Sequence, residues 1–165
     1  MAKIELLVGN IGSGRRRFAM TRAREGAVVV SRDLMNRAFH GGVDAFDPEL
    51  RDVYMAVAGA TIVAAVRDGR DVVILDDELH RREVREQYTR LANLADTEVV
   101  AVVFDRISPE EHARREFSSG MCRPTINYDQ CLQAATRIED SWEDPDVSES
   151  LASVVPASNF TMSGV

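Results

Sequence analysis

The residues with the most specific chemistry are Gly9-Asn10-Ile11-Gly12-Ser13-Gly14-Arg15-Arg16. They follow a short apolar run, Ile4 to Val8, and precede a stretch, Arg15 to Arg24, that can form a helix. A G-x-x-x-x-G-K-[ST] loop in that setting wraps its backbone N–H groups around phosphates. Its lysine reaches the outer phosphates and its hydroxyl holds Mg²⁺. Both glycines are kept here, so the backbone can close on an anion. Arg15 stands in the lysine position and Arg16 in the hydroxyl position. Guanidinium keeps the charge but is planar and larger than an ammonium. Arg16 removes the metal-ligand oxygen and puts a positive charge where Mg²⁺ would sit. A glycine-rich strand-to-helix turn without a ligand is the competing reading.

Three further polar clusters follow apolar runs in the same way. Ser31-Arg32-Asp33 follows Val28-Val29-Val30, Asp76-Asp77-Glu78 follows Val72 to Leu75, and Asp105 follows Val99 to Phe104. Between the runs lie helical stretches: a short one broken by His40-Gly41-Gly42, one from about Glu49 to Arg67 opened by Pro48 and capped at Gly69, and one from Arg81 to Ala95. Ser108-Pro109-Glu110-Glu111 has the signature of a helix start, and Tyr128 to Ile138 is expected to be helical. Continuous apolar strands alternating with helices predict a mainly parallel sheet covered on both faces. Ligands in such sheets lie beyond the carboxyl ends of the strands, where all four clusters fall. That agreement favours the phosphate-site reading of the glycine loop.

The bulk properties set bounds. A chain of 165 residues with 45% hydrophobic residues fits one main domain with a sizeable core. Residues 1–147 read as that domain. Residues 148–165, rich in Ser, Ala and Val without a clear period, read as a loosely attached tail. The net charge of −7 argues against nucleic-acid binding by the whole surface. The arginines Arg15, Arg16, Arg17, Arg22, Arg24, Arg32 and Arg37 nevertheless gather around the candidate phosphate site, while acids dominate Glu139 to Asp146. Cys122 and Cys131 supply neither a disulfide framework nor a zinc site. Without a signal peptide or an apolar span, a cytoplasmic setting with no membrane partner is expected.

With these residues the chain resembles the polynucleotide-kinase branch of P-loop kinases, which includes zeta-toxin-like kinases. The resemblance runs from about Lys3 to Ile138. Ile4 to Ala19 is similar to the family opening, with Arg15-Arg16-Arg17 in place of Lys-Ser-Thr. It implies a P-loop NTPase-type three-layer α/β sandwich. It also implies that Asp33 is the general base for an acceptor hydroxyl. The arginine that would hold an acceptor phosphate is replaced by Asn36, with Arg37 one step on. Asp76 matches the Asp of an Asp-Thr-Asn-Leu segment, so Arg32, Arg37 and Asp76 fall on the acceptor side. Arg114 and Arg115 match lid arginines, and the later lid arginine falls at Ser119.

Blander roles stand beside these. Asp33 caps a helix, Asp76 to Glu78 form a solvated turn, or Arg114 and Arg115 lie on an exposed helix face. His40, His80 and His112 share no metal-like spacing and read as surface or packing residues; Trp142 reads as a tail anchor or partner contact. Two functions follow. In one, the chain keeps the fold and binds ATP, another nucleotide, a nucleic-acid end or a protein partner, with kinase activity weak or lost. In the other, it is an active ATP-dependent phosphotransferase acting on a hydroxyl of a nucleic acid or nucleotide, with Asp33 as base and Arg15, Arg114 and Arg115 stabilising charge.

Overall fold

The computed structural model describes residues 1–42, 47–119 and 126–160. The elements run β1 (Lys3–Val8), α1 (Arg15–Arg24), β2 (Val28–Ser31), α2 (Arg32–Phe39), α3 (Arg51–Arg67), β3 (Val72–Leu75), α4 (Arg82–Leu94), β4 (Glu98–Val103), α5 (Pro109–Ser118), α6 (Tyr128–Asp140) and β5 (Ser153–Pro156). The strands form one sheet in the order β2-β3-β1-β4-β5. Every neighbouring pair is parallel, with Val8 opposite Val103 and Ser31 opposite Leu75. The carboxyl ends of β1 to β4 therefore share one edge, and the four polar clusters follow those ends.

Side chains of successive strand residues point to opposite faces, and both faces are covered. One face buries Ile4, Leu6, Ile74 and Ala101 against Ile62 of α3 and Tyr88 and Ala92 of α4. The other buries Leu7, Val73 and Val102 against Phe18 and Ala19 of α1 and Phe104. This is the expected three-layer α/β sandwich. A buried acid, Glu5, sits among these strands and is held by Arg22 at 2.9 and 3.1 Å. Arg22 also bonds Asp71 at 2.7 Å, tying α1 to the start of β3.

Element ends follow local chemistry. Ser31 accepts from Leu34 N at the start of α2, and Ser108 from Glu111 N at the start of α5. Gly69, at φ 73°, closes α3 with its N–H on Val66 O, as its position in the sequence predicts. A single 3₁₀ turn, Pro48–Leu50, precedes α3, so the regular helix begins at Arg51 rather than Glu49. The expected loop Ser118 to Pro124 lies largely outside the described residues, including Cys122. Cys131 is buried on α6.

The tail departs from expectation. Ser153–Pro156 is the fifth strand, pairing with Val100 to Val103 of β4. Leu151 belongs to the main core, and Glu149 is buried in an ion pair with Arg85. A four-residue edge strand, Ser-Val-Val-Pro, has no long apolar run, so composition alone reads as tail. The chain belongs to the packed domain at least to this strand. Among the described residues no helix is long and apolar enough to cross a membrane.

Candidate functional site

The loop between β1 and α1 is shaped by its glycines. A Cβ on Gly9 would lie 2.7 Å from Ser13 Oγ and 2.9 Å from Phe104 Cβ, so the loop folds back over its own start. Gly12 and Gly14 take φ of +61° and +98°, a region that side-chain-bearing residues avoid. Asn10 is buried; its Nδ2 donates to Ala135 O at 3.0 Å, while its Oδ1 accepts from Ile11 N at 2.8 Å. The loop is thus pinned to α6. Gly14 begins α1 without a side-chain cap, which leaves the helix N-terminus open to an anion. Ser13 Oγ is buried and has no hydrogen-bond partner among the described residues. A curled backbone, an uncapped helix start and an orphaned hydroxyl fit a phosphate group.

The two arginines that follow are engaged by the protein. Arg15 is buried, donating from Nη1 to Asp76 O and from Nη2 to Asp77 Oδ1, both at 2.9 Å. It bridges the loop to the end of β3. Arg16 Nη1 lies 3.6 Å from Glu116 Oε1. Partial desolvation pushes the Asp77 carboxyl up, but the Arg15 and Arg16 guanidiniums hold it below the usual carboxylate value.

Asp76 is no solvated turn residue. It is buried, its Oδ2 accepts from Tyr88 Oη at 3.0 Å, and its Oδ1 accepts from Glu78 N at 2.9 Å. Arg32 lies 3.2 Å from Asp76 Oδ1 and 2.9 Å from Glu78 Oε2. Burial raises the Asp76 pKa, opposed by Arg32 and the two hydrogen bonds. Asp33 is in the first turn of α2, whose cap is Ser31 rather than Asp33. Its carboxylate is half-exposed and 3.4 Å from Arg37 Nη2. Asn36 is buried and accepts from Tyr54 Oη at 3.1 Å, so it packs α2 onto α3.

On α5, Arg114 and Arg115 are exposed and both donate to Glu111 at 2.7 Å. Those bonds hold the Glu111 carboxyl down at about 2. The α5 side chain that accepts from the loop backbone is that of Glu116, whose Oε2 takes a hydrogen bond from Gly12 N at 2.9 Å. Sequence reasoning missed Glu116. Its spacing from His112, one helical turn earlier, is the signal that a single face carries both. His112 is fully buried, and His80 is buried between Asp77 O and Ser141 Oγ, each 3.1 Å away. Both act as packing residues, one of the roles expected of them. Trp142 packs against the core and beneath the Arg106 guanidinium, 4.9 Å from its ring centre, which fits an anchor.

The comparisons agree with this architecture. A chain of the Pnkp1/Rnl/Hen1 RNA repair complex superposes with a TM-score of 0.62 at 22% identity, covering 85% of this chain and 45% of that one. The present chain thus spans less than half the length of that protein. A protein from Chloroflexus aurantiacus j-10-fl gives a TM-score of 0.68 at 12% identity, covering 98% and 92%. A fungal RNA kinase gives 0.59 at 13% identity, covering 94% and 74%. Among curated proteins none matches by sequence. At these identities the shared property is the fold, that of P-loop kinases. A family profile described as AAA domain matches residues 4–118, which includes the loop, the β3 cluster and α5, and the chain belongs to that family.

Proposed function

We propose that the chain is a polynucleotide-kinase-like P-loop protein that binds a nucleotide or another polyphosphate at Gly9 to Arg16, and that its phosphoryl-transfer activity is weak or lost. The observation carrying this reading is Arg15. The cation in the lysine position is buried and tied by two hydrogen bonds to the Asp76–Asp77 turn. Transfer depends on a cation that follows charge onto the migrating and leaving oxygens. A planar guanidinium held at both ends by protein oxygens is poorly suited to that movement.

The residues also do not fit Mg²⁺. Arg16 brings a positive charge to the hydroxyl position, and both Asp76 oxygens are engaged by Tyr88, Glu78 N and Arg32. The phosphate-binding role falls to the loop backbone, Ser13, Arg15 and Arg16, with Arg15 able to exchange its exposed partner Asp77 for a bound anion and Arg114 and Arg115 able to swing from Glu111 towards it. Arg32, Arg37 and Asp76 form the acceptor side. A nucleic-acid end or a protein is the wider partner class, in a cytoplasmic setting.

One observation favours active transfer as the second reading. Asp33 is half-exposed at the loop's sheet edge, where a base for an acceptor hydroxyl belongs. Two measurements separate the readings: ATP titration with and without Mg²⁺, and transfer of labelled phosphate to DNA ends, RNA ends and nucleosides. The first reading expects metal-independent binding and little transfer. It also expects Arg15→Lys with Arg16→Ser to gain Mg²⁺-dependent ATP binding. Brisk transfer by the natural chain, abolished by Asp33→Asn, would establish the second reading instead.

A further inference from the structure

The loop already holds an anionic group. Glu116 Oε2 accepts from Gly12 N at 2.9 Å, and its other oxygen lies 3.6 Å from Arg16 Nη1. The α5 backbone lies directly on the loop. A Cβ on Gly12 would fall 2.4 Å from His112 O and 2.9 Å from Glu116 N. Glu116 is therefore delivered to Gly12 by a close helix–loop contact that only glycine permits. Its place in α5 is itself unfavourable, because a carboxylate in the last turn meets the negative end of the helix dipole. The Gly12 N–H and Arg16 offset that repulsion. These two groups are of the kinds that hold a phosphate oxygen: a loop amide near a helix N-terminus, and a cation.

We propose that Glu116 is an internal competitor for the anion cradle. Its carboxylate stands in for a phosphate oxygen, and a polyphosphate gains Gly12 N–H and Arg16 only when Glu116 withdraws. The Glu116 side chain is 19% exposed, so a rotation carries it to solvent without unfolding α5. The inference rests on the anion-binding reading of the loop and adds its regulation: occupancy is set by where Glu116 points.

The test is calorimetric titration of the full chain with inorganic tripolyphosphate and with ATP, at low salt and with chelator present. Glu116→Gln keeps a carbonyl acceptor for Gly12 but loses the charge, and Glu116→Ala loses both. Each is expected to tighten binding by about tenfold or more over the natural chain. Glu110→Gln, an exposed charge on the same helix, controls for a general field effect and is expected to stay within about twofold. Amide exchange without ligand gives an independent readout: Gly12 N–H is protected in the natural chain and exchanges faster in Glu116→Ala. Equal affinity of the natural chain and both Glu116 variants overturns the inference and leaves the anion site standing. An equal gain in Glu110→Gln, or an unprotected Gly12 amide, also overturns it. Absence of binding by every protein removes the anion-site reading itself, and the inference with it.

Discussion

Arg15 and Arg85 are both buried arginines that clasp protein oxygens, and they do opposite things. Arg85 donates to both Glu149 oxygens at 2.7 and 2.8 Å and to Leu79 O at 2.9 Å. Neither side chain of the pair is more than 1% exposed. Arg15 makes two bonds of similar length, but the side chain of its charged partner, Asp77, is 61% exposed. Water cannot replace either member of the first pair, whereas it can replace Arg15 as a partner of Asp77. An arginine's own burial therefore says little about function. The accessibility of its counter-ion separates a staple from a cation that can be handed to a ligand.

The widest separation comes from cutting the chain. Truncation after Ser148 removes Glu149, Leu151 and β5 together and strands Arg85 without its carboxylate. The loss is expected to reach about 5 kcal/mol or more, a large part of a domain's total stability, so the truncated chain should lack a cooperative melt. A truncated chain that melts like the natural one would return 148–165 to the status of a dispensable tail. Next in size is Arg85→Ala, expected to cost about 3–5 kcal/mol in urea unfolding because Glu149 stays buried and unpaired. Replacing both partners, Arg85→Met with Glu149→Leu, should recover most of that loss, since an apolar pair leaves no buried charge. Arg15→Ala should cost only about 1 kcal/mol, as Asp77 turns to water. It should weaken polyphosphate binding more than it weakens the fold. A cost at Arg15 equal to that at Arg85 would break the distinction.

The same contrast explains what could be read from the sequence. Continuous runs such as Val72 to Leu75 and the glycine pattern Gly9-x-x-x-x-Gly14 are local signals, so the parallel sheet and the loop were legible. The clusters after β2 and β3 were legible because parallel strands bring their carboxyl ends to one edge. Partner choice was not. Arg85 with Glu149 and Gly12 with Glu116 join residues far apart in the chain, and nothing in their local composition marks the match. The fifth strand escaped for a similar reason: Ser153–Pro156 is short, and pairing with β4 makes it a strand. Asn36 matched an expected arginine position, but its side chain turns to Tyr54 in the core.

The smallest expected effect concerns the neighbours Asp76 and Asp77, whose pKa values move in opposite directions from the ordinary 3.8. Asp76 is buried, and desolvation raises it against the pull of Arg32. Asp77 also loses some hydration, but Arg15 and Arg16 outweigh that loss and lower it. Linkage gives opposite slopes. For Asp77 the unfolded chain binds the proton more readily, so its contribution is present above 3.8 and is lost as pH falls through the lower folded value. For Asp76 the folded chain binds the proton more readily, so stability falls as pH rises from 3.8 through the higher folded value. Asp77→Asn should therefore flatten the acid side of the stability profile, with an effect below about 1 kcal/mol because its side chain meets water. Asp76→Asn should flatten the fall above 3.8; its one amide oxygen keeps the bond from Glu78 N, and its NH2 donates to the Tyr88 hydroxyl that Asp76 Oδ2 had accepted from. Urea unfolding of both variants from pH 3 to pH 7 reads the two slopes separately. If Asp77→Asn steepens the acid loss instead, Arg15 does not treat Asp77 as its counter-ion in solution, and the contrast with Arg85 fails at its exposed partner.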